Sequence, residues 1–144
     1  QKNDVKIYPK NSAIVEAIDK GEISFGLVNH YYVWEVSEAL GRPVKAKIGF
    51  FAKGDVGNLT NVSGAGVFAS SKKQAAAEEL INFLTSRSTQ DEFIEKTHEY
   101  SLIPGAKAPE DLPALSEIGA PSVDLESLKS IKATQDLLIE VGLL

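Results

Sequence analysis

The stretch from Val5 to Val28 places the tightest limit on what this chain can fold into. Val5-Lys6-Ile7-Tyr8 alternates as a short strand does, and Pro9 closes it. Ser12 stands where it can cap a helix over Ala13 to Lys20, with Ile14, Val15 and Ile18 on one face and Gly21 at its end. Ile23 to Val28 is a compact apolar run, the mark of a strand buried on both faces. Strand, helix and strand in so little chain predict an α/β unit.

Tyr31 and Tyr32 follow that second strand directly, in Gly26-Leu27-Val28-Asn29-His30-Tyr31-Tyr32. A strand running on through them would point the two side chains to opposite faces, where they cannot share a ligand. Asn29 is instead a good helix cap, and Tyr31 to Leu40 has helical spacing in Val33, Val36 and Leu40, ended by Gly41 and Pro43. Both tyrosines therefore belong to a strand-to-helix turn. Ligand sites in open α/β sheets lie there, and the N–H groups of a helix start favour an anion. Phenolate is a hard anionic oxygen donor suited to a hard cation, which must itself drive ionisation because free tyrosine loses its proton only near pH 10. Ferric iron fits that role. From the residues alone, an ordinary half-buried aromatic pair fits the same spacing.

Composition removes several classes. With no Cys, the chain has no zinc-thiolate site, disulfide or cysteine nucleophile. A net charge of −5 and the lack of a Lys/Arg cluster argue against nucleic acid. No apolar run approaches the ~20 residues of a membrane-spanning helix. The 144 residues, 43% of them hydrophobic, suit one domain with a real core. The absence of Met, even at position 1, predicts a piece of a longer precursor.

Further along, Lys47 to Ala52 predicts another strand, Gly54 to Asn58 a turn-rich loop, and Val62 to Ala69 a strand whose Gly64 and Gly66 mark either a hinge crossing or a plain bulge. Ser71-Lys72-Lys73-Gln74 reads as a capping box opening a helix through Leu80, Ile81 and Leu84. Ser88 starts a second helix with Phe93 and Ile94, residues 101–123 form a proline-rich surface connection, and a last helix carries Ile131, Leu137, Leu138 and Val141 up to Gly142.

Tyr8-Pro9-Lys10-Asn11-Ser12, Gly21-Glu22, Leu27-Val28-Asn29-His30-Tyr31-Tyr32, Val62-Ser63-Gly64-Ala65-Gly66-Val67 and Glu140-Val141-Gly142-Leu143 together resemble the C-terminal half of the ferric-iron-binding proteins of bacterial ABC importers. The resemblance extends over nearly the whole chain. It implies a class II periplasmic-binding-protein lobe, an open and mostly parallel sheet flanked by helices, in a protein whose two lobes close by hinge motion. Residues 1–61 and 113–144 would form the C-terminal lobe, and 62–112 a crossover segment belonging to the first lobe. Tyr31 and Tyr32 match the phenolate ligands to Fe3+. Asn11 and Asn29 match positions that hold a synergistic anion, phosphate or carbonate. His30 is read as a neighbour of the motif and His98 as a surface residue. Family members are about twice this long, and their N-terminal lobe supplies further ligands. The resemblance thus implies a missing N-terminal lobe, to be replaced by rearrangement, by a domain-swapped second copy, or by association with the absent half. It also implies a periplasmic or cell-surface location and an ABC-transporter permease as partner.

Two other functions are compatible with some of these residues. One is an anion or small-solute receptor of the same fold that uses no metal, with Asn11 and Asn29 as donors and the tyrosines as a stacking wall. The other is an enzyme with Tyr31 or Tyr32 as acid/base and His30 as partner. No carboxylate pair or Ser-His-Asp ordering supports catalysis, and Glu35 and Asp55 are read as solvated. The sequons Asn58-Leu59-Thr60 and Asn61-Val62-Ser63 are read as chance occurrences.

Overall fold

The computed structural model describes residues 3–121 and 130–144. Those residues form α1 (Asn11–Lys20), α2 (Tyr32–Leu40), α3 (Gln74–Leu84), α4 (Arg87–Thr97), the short α5 (Leu115–Ile118) and α6 (Ile131–Glu140). The chain divides into two units, Gln1–Ile48 with Ser122–Leu144, and Gly49–Pro121. The segment 62–112, expected as the crossover, lies inside the second unit.

In the first unit α1 packs on α2. Val15, Val36 and Ala46 form the buried centre, and Ile18, Val28, Tyr32, Val33 and Val44 pack around it. Fully burying a valine side chain is worth about 1.5–3 kcal/mol, so this small cluster supplies much of what holds the pair together. Both helices stop where the sequence expects. Gly21 and Gly41 adopt the left-handed conformation, with φ of 78° and 63°, that lets the closing N–H groups turn back onto the last carbonyls.

The starts differ from expectation. Ser12 does not cap α1: the helix begins one residue earlier, after an extended Lys10, with no side-chain cap. Asn11, the first helical residue, gives its side-chain oxygen to the Asn29 N–H instead.

No strand forms among the described residues, although Val5–Tyr8, Ile23–Val28, Lys47–Ala52 and Val62–Ala69 were each expected as one. A strand exists only through ladder bonds to a neighbouring strand, and these segments have no such partner among the described residues. Ile23–Val28 is also not buried on both faces. Phe25 and Leu27 are 80% and 74% exposed, while Gly26 and Val28 are turned away from solvent. From Phe25 to Val28 exposure alternates, and only one side of that stretch is covered. Gly26 is needed on the covered side, because a Cβ there would overlap Ile14 Cγ2.

The second unit is organised by a turn, the caps of α4 and a polar hub. Ser71 accepts the Lys73 N–H at 3.1 Å and Gln74 Nε2 donates to the Ala69 carbonyl at 3.2 Å. The expected capping box is therefore a turn, and α3 begins only at Gln74. Ser86, not Ser88, caps α4 by accepting the Thr89 N–H. His98 closes α4 in the left-handed conformation, φ 56°, and is half-buried rather than a plain surface residue; histidine is among the side chains that tolerate this region. Asn58, 7% exposed, ties the 51–58 loop to the end of α5. The proline-rich segment is anchored as well, with Pro109 fully buried and the Tyr100 hydroxyl donating to the Pro113 carbonyl at 2.7 Å. Burial pushes the Tyr100 phenol up to about 12.

In the 130–144 segment, Ser130 caps α6 by accepting the Ala133 N–H at 3.1 Å. Gly142, with φ 70°, follows the last turn, as the sequence predicts.

Candidate metal and anion site

The tyrosine turn is built from the starts of the two packed helices. Tyr31 is the residue from which α2 springs and Tyr32 its first helical residue. A strand-to-helix turn was expected; a loop-to-helix turn is found. It turns the two neighbouring side chains to the same side, with ring centroids 4.8 Å apart and planes inclined by 35°. Tyr32 leans against the Val15–Val36 cluster and so has one face fixed by packing. The His30 ring meets Tyr31 edge-on at 5.5 Å and Trp34 edge-on at 6.5 Å. His30 thus belongs to the aromatic wall behind the pair.

Asn11 and Asn29, eighteen residues apart, are joined by a hydrogen bond of 2.9 Å from the Asn29 N–H to Asn11 Oδ1. This bond ties the start of α1 to the residue that leads into the tyrosines. It also changes what each asparagine offers. With its oxygen engaged, Asn11 has its side-chain NH2 to present to an external acceptor.

Asn29 does not cap α2 with its side chain. The Tyr32, Val33 and Trp34 N–H groups instead donate to the carbonyls of Asn29, His30 and Tyr31 at 3.3, 3.3 and 3.1 Å. The expected supply of open N–H groups at this helix start is therefore smaller than the sequence suggests. The start of α1, which no side chain caps, remains as the dipole end beside Asn11.

Two residues that the sequence reading passed over hold the far end of the same helix pair. Asp19, 5% exposed near the end of α1, accepts Arg42 Nη2 at 2.6 Å and Nη1 at 3.3 Å, and the Lys45 N–H at 2.7 Å. The Arg42 guanidinium and the Lys45 N–H hold the Asp19 carboxyl down at about 2, while Asp19 raises Arg42 above its ordinary value. The available signal was a carboxylate next to Ile18 on the apolar side of a short helix.

Among the described residues no group of three or more His, Asp or Glu side chains is placed to hold a metal ion. No helix of the described residues is long and apolar enough to cross a membrane. Glu35 and Asp55 are exposed, and Asp55 accepts the Gly57 N–H within its own turn.

The family model of bacterial extracellular solute-binding proteins matches residues 1–120. The chain is 33% identical to the Fe(3+)-binding periplasmic protein of Serratia marcescens, over 99% of this chain and 43% of that protein. It is 30% identical to the major ferric iron-binding protein of Neisseria meningitidis serogroup B, over 96% of this chain and 42% of that protein. Its structure superposes on that of iron-bound HitA from Pseudomonas aeruginosa with a TM-score of 0.84 and 28% identity, covering 98% of this chain and 46% of that one. The chain therefore spans less than half the length of these relatives.

Proposed function

This chain belongs to the bacterial extracellular solute-binding proteins, and we propose that it supplies the two phenolate ligands of a ferric-iron site in a protein that captures iron outside the cytoplasm. The observation that carries the reading is the Tyr31–Tyr32 pair, 4.8 Å apart at the start of α2 and next to the Asn11–Asn29 bond. Ferric iron is cargo here, and no bond of the solute is made or broken. Two hard anionic oxygens on adjacent residues give a trivalent cation a large Coulombic gain, which lowers the phenols' proton affinity enough for ionisation at neutral pH. A synergistic phosphate or carbonate completes the shell, held by the Asn11 NH2, by Asn29 and by the start of α1. Neutral amide donors bind such an anion without competing for the metal.

The names of the Serratia and Neisseria relatives support iron as the solute and the periplasm as the location. A permease of an ABC importer receives the iron. The length of those relatives supports a further lobe that brings the remaining ligands, or a second copy of this chain in its place. In that assembly 1–61 and 113–144 act as the C-terminal lobe, 62–112 as the crossover, and the unpaired segments 23–28 and 47–52 join a mostly parallel sheet.

The test is a titration of the chain with ferric citrate, with and without phosphate, followed by visible absorbance. Iron-bound phenolate absorbs visible light, so a reddish band is expected; Tyr31→Phe and Tyr32→Phe should each weaken binding sharply while the far-ultraviolet circular dichroism stays unchanged. Asn11→Ala should lower the phosphate dependence and spare the band. A colourless titration, or full affinity in both tyrosine variants, overturns the reading. Tight phosphate binding that needs no iron, read by calorimetry, would assign the site to a metal-free anion receptor instead.

A further inference from the structure

The Asp19–Arg42 pair lies at the opposite end of α1 and α2 from the tyrosines. A carboxylate 5% exposed is costly to keep charged unless its oxygens are fully engaged. Asp19 meets that demand with Arg42 Nη1, Arg42 Nη2 and the Lys45 N–H. Arg42 follows Gly41, the residue that ends α2, and Val44 N–H donates to Ser37 Oγ at 3.2 Å. The turn after α2 is thus fastened to the end of α1 and to α2 itself.

Along the middle of the pair, Val15 and Val36 pack through their apolar side chains. Such contacts are non-directional and allow one helix to slide or roll on the other. A two-nitrogen guanidinium–carboxylate bond is directional and does not. The nine residues of α2 form a rod about 13 Å long at 1.5 Å per residue, and at its tyrosine end the Asn11–Asn29 bond ties the two helix starts together.

We propose that Asp19 and Arg42 are positioning residues for the tyrosine turn: by gripping the far end of α2 they hold it in axial register against α1, which keeps Tyr31 and Tyr32 beside Asn11. The role rests on the ferric reading above and adds to it residues that never meet the iron. Loss of the grip leaves the helices packed and lets the two halves of the site drift apart.

Arg42→Gln and Arg42→Lys test this, measured well below the melting transition so that both variants are fully folded by circular dichroism. The first readout needs no metal: hydrogen exchange at the Asn29 amide, which is protected through Asn11. The second is ferric affinity, with its phosphate dependence and visible band. Arg42→Gln should speed Asn29 exchange and weaken ferric affinity on the order of tenfold, the usual effect of removing a group that orients a metal ligand. Arg42→Lys should recover part of both. A role confined to stability would lower the melting temperature and leave both readouts at the parental value, and that result overturns the proposal. If the parent chain takes no iron while Arg42→Gln still exposes the Asn29 amide, the ferric reading fails and the register device stands.

Discussion

Replacing Asn58 with alanine removes the whole polar centre of the 51–58 loop. Asn58 Oδ1 accepts the Phe51 N–H at 2.9 Å, and Nδ2 faces the carbonyls of Phe51, Ala52 and Ile118 at 3.1, 3.1 and 3.2 Å. One amide has two N–H hydrogens, so the three carbonyls share two donors and the side chain is worth about three full bonds. At about 1 kcal/mol net for each, the loss comes to about 3 kcal/mol, with a backbone N–H left without its partner in the bargain. For a unit of this size that corresponds to a melting shift on the order of 15 °C. The assay is thermal unfolding by circular dichroism together with hydrogen exchange at the Phe51 amide. Asn58→Asp sharpens it. The carboxylate keeps the bond to the Phe51 N–H but turns lone pairs toward three carbonyl oxygens, so it should destabilise strongly at neutral pH and recover in acid as an O–H donor forms. A melting temperature and a Phe51 exchange rate that Asn58→Ala leaves unchanged would refute the reasoning, since the loop would then be held by something other than this side chain.

Gly26→Ala should destabilise the first unit by about 1–3 kcal/mol, because the new methyl overlaps Ile14 Cγ2. Ile14→Ala in the same chain should restore part of the loss, which a thermal-unfolding double-mutant cycle measures. The Asp19 carboxyl sits at about 2 against an ordinary 3.8. Its depressed value means that the pair stabilises fully above pH 4 and that this contribution fades as pH falls from about 4 toward 2. Melting temperatures across that window should show a steeper acid decline in the parent than in Asp19→Asn, and equal slopes would count against the Asp19–Arg42 grip.

The helix ends were the most legible part of the sequence, because a left-handed closing residue is a local requirement that glycine advertises at 21 and 41. Helix starts were less so. Ser12, Ser71, Ser88 and Asn29 all have the right chemistry for caps, yet the structure uses Ser86 and leaves Asn29 to serve through its backbone. Which of several capable side chains turns inward depends on contacts from elsewhere in the chain, such as the Asn11 oxygen that claims the Asn29 N–H. The same holds for the strands, whose definition lies in a partner that no local pattern can name. The turn at the tyrosines followed from a positive argument, the conflict between period two and two ligands on one side, and the rings do lie together. Asp19 went unnoticed because a carboxylate on a short helix normally points to water, and only the later Arg42-Pro43-Val44-Lys45 turn supplies the cation and the N–H that make its burial tolerable.

In the chain by itself, Phe25 and Leu27, with Ile7 and Phe68, are exposed to water. Groups already hydrated before unfolding add nothing to the heat-capacity increment, which for compact domains runs to about 12–15 cal/mol/K per residue. This chain should fall below that range. Its stability curve is then flatter, its denaturant transition shallower, and its folding less sensitive to cold than its length suggests. Whatever covers the Phe25–Leu27 face adds curvature and cooperativity along with contact area.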